Sequence, residues 1–220
     1  MRDPAINLTF HGIGSQARNL DAGEGDVWVS EASFLAVVDA AAAHSDVRIT
    51  FDDGNASDLH HGLPALTERG LTGTFFVVAG RLGEPGFLDA DDVRTLAAEG
   101  MTIGCHGMRH RPWRGLDARA LHEELVAAKR VLEDVVGHPV TEAACPFGAY
   151  DRRVLAALRR SGYQHVYTSD RGHARPTDWL QARNTVRRGD GAELMAQVTS
   201  PLAASARLRR HARLTAKRWR

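Results

Sequence analysis

Two adjacent carboxylates, Asp52 and Asp53, close the apolar run Ile49-Thr50-Phe51 and are followed by Gly54. Further along the chain, two histidines, His106 and His110, stand four residues apart. One carboxylate and two imidazoles supply a facial set of ligands for a divalent cation. That set is compatible with Zn²⁺, and equally with Co²⁺, Ni²⁺ or Fe²⁺. In this reading Asp53, His106 and His110 hold the metal, and Asp52 is free to act as general base on water that the metal has acidified. A lone Asp-Asp-Gly is often only a turn. Its weight comes from the histidine pair that follows it in the chain.

The elements that must position these groups alternate between short apolar runs and helical patterns. Strands are expected at Ile6–Phe10, Val47–Phe51, Thr72–Val78, Met101–Cys105, Thr141–Ala144, His165–Thr168 and Ala182–Val186. Helices are expected at Glu31–Ala43, Ser57–Arg69, Ala90–Glu99, Ala118–Val136 and Arg152–Ser161. Asp117 is a candidate N-cap for the fourth, in which Leu121, Leu125, Ala128 and Leu132 recur at helical spacing. Strands alternating with helices of about ten residues or more predict βαβ units. About seven such units favour a distorted (β/α)7 barrel in a single α/β domain, with active groups at the C-terminal ends of the strands. His11 after the first strand, Asp52 and Asp53 after the second, His106 after the fourth and Pro146-Phe147-Gly148 after the fifth would then share one face. The stretch 12–26 reads as a long loop over the end of the first strand.

Thr50-Phe51-Asp52-Asp53-Gly54, His106-x-x-x-His110 and Pro146-Phe147-Gly148-Ala149-Tyr150-Asp151 together resemble three signature motifs of the polysaccharide deacetylases, carbohydrate esterase family 4, which share the NodB homology domain. Thr74-Phe75-Phe76-Val77 adds to the likeness, which runs in the family's order over roughly residues 5–190. The resemblance implies a metal-dependent hydrolase that removes N-acetyl groups from amino sugars. It assigns the metal to Asp53, His106 and His110, the base to Asp52, and oxyanion stabilisation to the metal with the backbone N–H of Phe147, after Pro146. Acetate and a free amine would be the products.

Two features depart from that pattern. Many members carry an arginine, two residues before the proline of the third motif, that pairs with the base. Here the position is Ala144, so Asp52 should be less acidic unless Arg183, near the last strand, supplies the charge from another direction. The family's last motif also offers a histidine as general acid, whereas this chain reads Arg183-Asn184-Thr185-Val186. His11 and His173 are candidate replacements, with His11 the better placed. Trp113, shortly after His110, could wall the substrate pocket or simply pack in the core.

The 220 residues carry 28 Lys/Arg against 27 Asp/Glu, but the balance is uneven. Residues 201–220 hold seven basic residues (Arg207, Arg209, Arg210, Arg213, Lys217, Arg218 and Arg220) and no acidic one, leaving a net charge of −6 on residues 1–200. The expected organisation is a catalytic domain over 1–200 and a basic helical tail over 201–220. The tail could contact an anionic membrane surface through residues 205–220, or could be a solvated helix. Nucleic acid is not an expected partner. No secretory segment precedes the first strand, so a cytoplasmic location, peripheral to the membrane at most, is expected. That location would favour a lipid- or nucleotide-linked N-acetylated sugar as substrate. Two alternatives remain: an amidase acting on a non-sugar amide or cyclic imide, and a carbohydrate-binding relic without catalysis.

Overall fold

The fold was analysed in a computed structural model, described for residues 5–21, 23–200 and 204–219. Residues 201–203 and 220 of the expected tail therefore lie outside the described residues. Seven parallel strands close into a barrel in chain order: β1 (Ile6–Phe10), β2 (Val47–Phe51), β3 (Gly73–Val77), β4 (Thr102–Cys105), β5 (Glu142–Ala144), β6 (His165–Thr168) and β7 (Leu180–Thr185). β7 pairs with β1, placing Arg183 opposite Asn7 and Thr185 opposite Thr9. The seven-strand α/β barrel matches the expected fold class.

All five residues of β1 are buried, yet they alternate in character. Ile6, Leu8 and Phe10 join the main apolar core with Ile49, Phe51 and Phe75 of the neighbouring strands. The interleaved residues are polar, and Asn7, Thr9, Thr50, Gln181 and Arg183 are all buried as well. Asn7 Nδ2 donates to Gln181 Oε1 (3.2 Å), and Thr50 Oγ1 donates to the Leu8 carbonyl (2.8 Å). Phe76, Ala144 and Tyr167 form a second, smaller apolar cluster. One set of strand residues thus packs the main core, while the other carries a polar network towards the site.

The covering helices are α1 (Glu31–Ala42), α2 (Leu63–Glu68), α3 (Ala90–Ala98), α4 (Ala118–His122), α5 (Ala128–Val136), α6 (Arg152–Arg160), α7 (Glu193–Thr199) and α8 (Ala204–Trp219). Asp117 caps α4, its Oδ1 accepting from Ala120 N (2.8 Å). Asp151, the last residue of the third motif, does the same for α6 by accepting from Val154 N (2.9 Å). Two expected helices are interrupted by π-turns, Asp58–Gly62 before α2 and Glu123–Ala127 between α4 and α5. Periodicity alone could not reveal either insertion, and both prove to lie beneath the site. α7 had no sequence expectation.

No helix separates β6 from β7. Lys217 of α8 pairs with Asp170, which follows β6, at 2.7 Å, and its ammonium lies 4.1 Å from the centre of the Tyr150 ring. Leu214 is buried, whereas Leu208 and Trp219 remain exposed. Part of the tail's positive charge thus meets an anion of the same chain. Among the described residues, no helix is long and apolar enough to cross a membrane.

Candidate active site

The two consecutive acids at the end of β2 diverge because the backbone turns sharply. Asp53 (φ 76°) and Gly54 (φ 70°) are both left-handed, a conformation that glycine adopts freely and aspartate at modest cost. His110 (φ 47°) and Phe147 (φ 56°) share that conformation, so three of the four non-glycine residues with positive φ among the described residues are candidate site residues. Strain of this kind persists where surrounding contacts enforce it, and it concentrates at functional positions.

Candidate ligand atoms of Asp53, His106 and His110 lie within 4.8 Å of one another. His110 Nε2 is 3.0 Å and His106 Nε2 is 3.5 Å from Asp53 Oδ1. The His106 Nδ1 atom lies 2.9 Å from the Ala144 carbonyl, which can only accept. Nδ1 therefore carries the hydrogen, and Nε2 is directed at the two aspartates. Asp53 Oδ1 is buried and has no hydrogen-bond partner. A carboxylate oxygen and two imidazole nitrogens converging on one point fit a divalent cation. Burial alone would raise the Asp53 pKa, but His106 and His110 bring it well below the usual carboxylate value. His106 is shifted upward: burial opposes this, and Asp52 and Asp53 outweigh burial.

Asp52 is held from the opposite side. Arg183 Nη1 donates to Asp52 Oδ1 at 2.5 Å and Nη2 to Oδ2 at 2.6 Å, forming a bidentate pair between β7 and the end of β2. Nη1 also reaches Thr9 Oγ1 and Thr50 Oγ1, both at 3.3 Å, and the guanidinium carbon lies 5.2 Å from the centre of the Phe76 ring. Burial would raise the Asp52 pKa, but Arg183, His106 and His11 bring it below the usual value. Of the two outcomes left open at Ala144, the structure shows the second: Arg183 supplies the cation from β7, and Asp52 is not left less acidic. His11 Nε2 stands 3.6 Å from Asp52 Oδ2, and its Nδ1 is buried without a partner. Burial is the main cause of the lowered His11 pKa, which favours the neutral ring.

The third-motif loop brings Phe147 into the site. The residue is 67% exposed and its ring centre lies 4.7 Å from that of the His110 ring, while Pro146 beside it is buried. Trp113 does not wall the pocket. It is fully buried and its indole N–H donates to Glu124 Oε2 (3.4 Å), so it belongs to the core beneath the histidine loop. His173 is also drawn away from the site, with Nε2 2.6 Å from the Val198 carbonyl of α7.

Two buried carboxylates beneath the site escaped the sequence reading, and each sits on one of the π-turns. Glu124 Oε2 accepts from Met108 N (2.9 Å) and Arg109 N (3.3 Å) between the two histidines, while Oε1 pairs with Arg111 Nε (2.7 Å). A Cβ on Gly107 would meet Glu124 Oε2 at 2.3 Å, which explains the glycine directly after His106. Asp58 Oδ2 accepts from Asn55 N (3.1 Å), bracing the turn that carries Asp53. Burial, then the Asp53 charge, raises the Asp58 pKa well above the usual carboxylate value. π-turns often mark functional sites, and here each one places an acid under a loop that carries candidate ligands. The available signal was an acid three residues after Leu121 and directly before Leu125, on the apolar stripe of its helix.

The 12–26 stretch folds over the end of β1. Arg18 pairs with Glu24 and donates to Asn55 Oδ1 (2.8 Å), while Asn55 Nδ2 donates to the His11 carbonyl (3.0 Å).

The polysaccharide deacetylase family model matches residues 40–166. Among curated proteins, the chain is 27% identical over 161 residues to YxkH of Bacillus subtilis (strain 168), whose name places it provisionally among the polysaccharide deacetylases. That alignment covers 73% of this chain and 58% of YxkH. It is also 27% identical over 153 residues to a chitooligosaccharide deacetylase of Rhizobium leguminosarum bv. trifolii, covering 69% of this chain and 66% of that protein. The chain thus spans less than two thirds of the length of either relative. The Streptococcus pyogenes deacetylase PplD, solved in complex with acetate, superposes with a TM-score of 0.79 at 17% identity, over 91% of this chain and 100% of that one. The polysaccharide deacetylase BC0361 of Bacillus cereus superposes with a TM-score of 0.78 at 19% identity, over 90% and 69%. Both share its fold.

Proposed function

This chain belongs to the polysaccharide deacetylase family, and on that premise we propose that it is a metal-dependent hydrolase removing the acetyl group from an N-acetylated amino sugar. Asp53, His106 and His110 would hold one divalent cation, with Zn²⁺ suited to the donor set and Co²⁺, Ni²⁺ and Fe²⁺ compatible with it. When bound, the cation supplies Lewis acidity that polarises the acyl carbonyl and acidifies water. The observation that carries the reading is the different environment of the two adjacent acids. Asp53 faces the histidines with an unpartnered oxygen, while both oxygens of Asp52 are fixed by Arg183.

Asp52 takes the proton as water adds to the acetyl carbon, and Arg183 keeps the carboxylate ionised and correctly oriented for that transfer. The Phe147 backbone N–H, in its strained loop beside His110, is the proposed donor to the developing oxyanion. Collapse of the tetrahedral adduct breaks the C–N bond, releasing acetate, and a proton passes to the departing amine. His11, 3.6 Å from Asp52, is the proposed carrier of that proton. The exposed Phe147 ring offers an apolar face to a sugar.

The test is amine release from N-acetylglucosamine oligomers by protein loaded in turn with Zn²⁺ and Co²⁺, beside a panel of small non-sugar amides and cyclic imides. Turnover of the sugars alone supports the proposal. Turnover confined to the non-sugar substrates, or absent from both, overturns it.

A further inference from the structure

The flank on which β6 leads to β7 without a helix holds a cleft of about 570 Å³ that the proposed reaction leaves unused. Five arginines line it: Arg171 after β6, Arg187 after β7, and Arg209, Arg210 and Arg213 of α8. Its inner side adjoins the backbone of β7, where Arg171 N donates to the carbonyl of Arg183 (3.1 Å) and Gly172 N donates to Asn184 Oδ1 (2.8 Å). Arg171 is the remaining non-glycine residue with a left-handed backbone (φ 56°).

Two carboxylates share the cleft, Asp170 and Asp190, and among the described residues neither forms an ion pair with its arginines. Asp170 Oδ1 is taken by Lys217, and Asp170 Oδ2 accepts from Tyr150 (2.6 Å) and Thr168 (2.9 Å). Asp190 Oδ2 turns back to accept the backbone N–H of Arg187 (2.8 Å). Arg210 Nε and Arg213 Nη2 both point at the Asp170 carbonyl from 3.5 Å, too far for strong hydrogen bonds. Among the described residues, none of the five arginines has a carboxylate partner within ion-pair distance. Burial, with the Arg213 and Arg218 charges adding to it, lowers the Arg210 pKa despite the nearby Asp170.

Cations gathered in a partly desolvated cleft repel one another unless an anion enters, and planar guanidinium forks match phosphate oxygens in pairs. We propose that this cleft binds a diphosphate group, free or as part of an ester. Its volume lies in the range of small-ligand sites and exceeds that needed by a single phosphate. The site is created by α8 docking on the barrel, and that docking gives a function to the basic tail. The proposal stands apart from the metal-centre reading because its readout is binding rather than turnover.

The experiment is isothermal titration of the full chain with inorganic pyrophosphate at low ionic strength. The comparison proteins are the double variant Arg210→Gln/Arg213→Gln, the single variant Arg171→Gln at an exposed position, and Arg152→Gln/Arg153→Gln on α6 as a control. One site is expected, weakened at least tenfold in the double variant, several-fold in Arg171→Gln, and unchanged in the control. Uridine diphosphate and vesicles containing diacylglycerol diphosphate then separate the two sources of the group. Tighter binding of the nucleotide indicates a soluble ester, and competition of the vesicles with pyrophosphate indicates a lipid headgroup. No heat with wild-type protein, equal affinity in the control and the cleft variants, or vesicle binding that pyrophosphate does not displace would each overturn the proposal. Arg171→Gln keeps the test informative should the double variant fail to fold.

Discussion

Arg183 and Asp52 lie 131 residues apart in sequence and form a two-pronged ion pair whose Nη–Oδ distances are 2.5 and 2.6 Å. The arginine is fully buried. A buried pair of this geometry is not a dependable source of stability, because two desolvated charges must first be offset. Breaking it from one side is a different matter. Arg183→Met should cost metal-free protein about 3–5 kcal/mol, since Asp52 is left as an unpaired buried carboxylate. Arg183→Lys should keep most of the stability but lower kcat by about 10- to 100-fold with little change in KM, because an ammonium cannot fix both carboxylate oxygens. Urea unfolding and steady-state kinetics on the two variants check both halves.

Glu124 should govern metal affinity without touching the metal. Glu124→Ala leaves the Met108 and Arg109 N–H groups without their acceptor, and supporting residues of this kind typically change affinity by about 10- to 100-fold. Glu124→Gln retains an acceptor oxygen and should lose much less. Competition with a chromophoric chelator for Zn²⁺ reads the difference directly.

Much of this was legible in the sequence. The strands could be located because they form short apolar runs between helical patterns, and the candidate ligand set because its residues fall in two short motifs. What escaped detection depends on distance in the chain or on a register that a pattern cannot carry. The last strand was expected at Ala182–Val186 but runs from Leu180 to Thr185, because Gln181 is a polar residue buried in the barrel. Arg183 was named as a possible cation for Asp52, but the bidentate geometry of the pair, across 131 residues of chain, is visible only in the fold. Glu124 and Asp58 were hidden within helical periodicity, which does not show the extra residue of a π-turn. The role of Trp113 turned on the direction of its side chain, and it points into the core.

Gly107→Ala should be destabilising and should weaken metal binding together. The added methyl would clash with Glu124 Oε2 at a residue whose φ of 86° is already strained for alanine. A cost above about 1 kcal/mol is expected from the backbone alone. Thermal melts with and without Zn²⁺ should both shift downward, the Zn²⁺-loaded melt by the larger amount.

Burial raises the Cys145 thiol pKa to about 12 and that of Cys105 to about 11. The folded chain keeps protons that the unfolded chain releases above about pH 9. Stability should therefore hold up to about pH 9 and decline progressively towards pH 11–12. Native Cys145 should also resist iodoacetamide at pH 8 and react once the chain is unfolded. Melting temperature against pH and mass-spectrometric alkylation test the two statements separately.

Metal loading should stabilise the fold in proportion to ligand excess, by about 2.7 kcal/mol at a hundredfold excess over Kd. Asp53→Asn is the discriminating variant, because asparagine tolerates the left-handed backbone and removes only the charge. Its metal-free melt should stay close to that of the wild type, and the Zn²⁺-induced rise should disappear.

In the proposed mechanism two neighbouring aspartates divide the work, Asp53 holding the metal and Asp52 moving the proton. Its most direct test measures metal content and amine release side by side for wild type, Asp52→Asn and Asp53→Asn on N-acetylglucosamine oligomers. About one metal per chain is expected in wild type and Asp52→Asn, with turnover in Asp52→Asn reduced by about 10²- to 10⁴-fold, and metal lost from Asp53→Asn. Wild-type turnover retained in Asp52→Asn, or full metal content in Asp53→Asn, would contradict it.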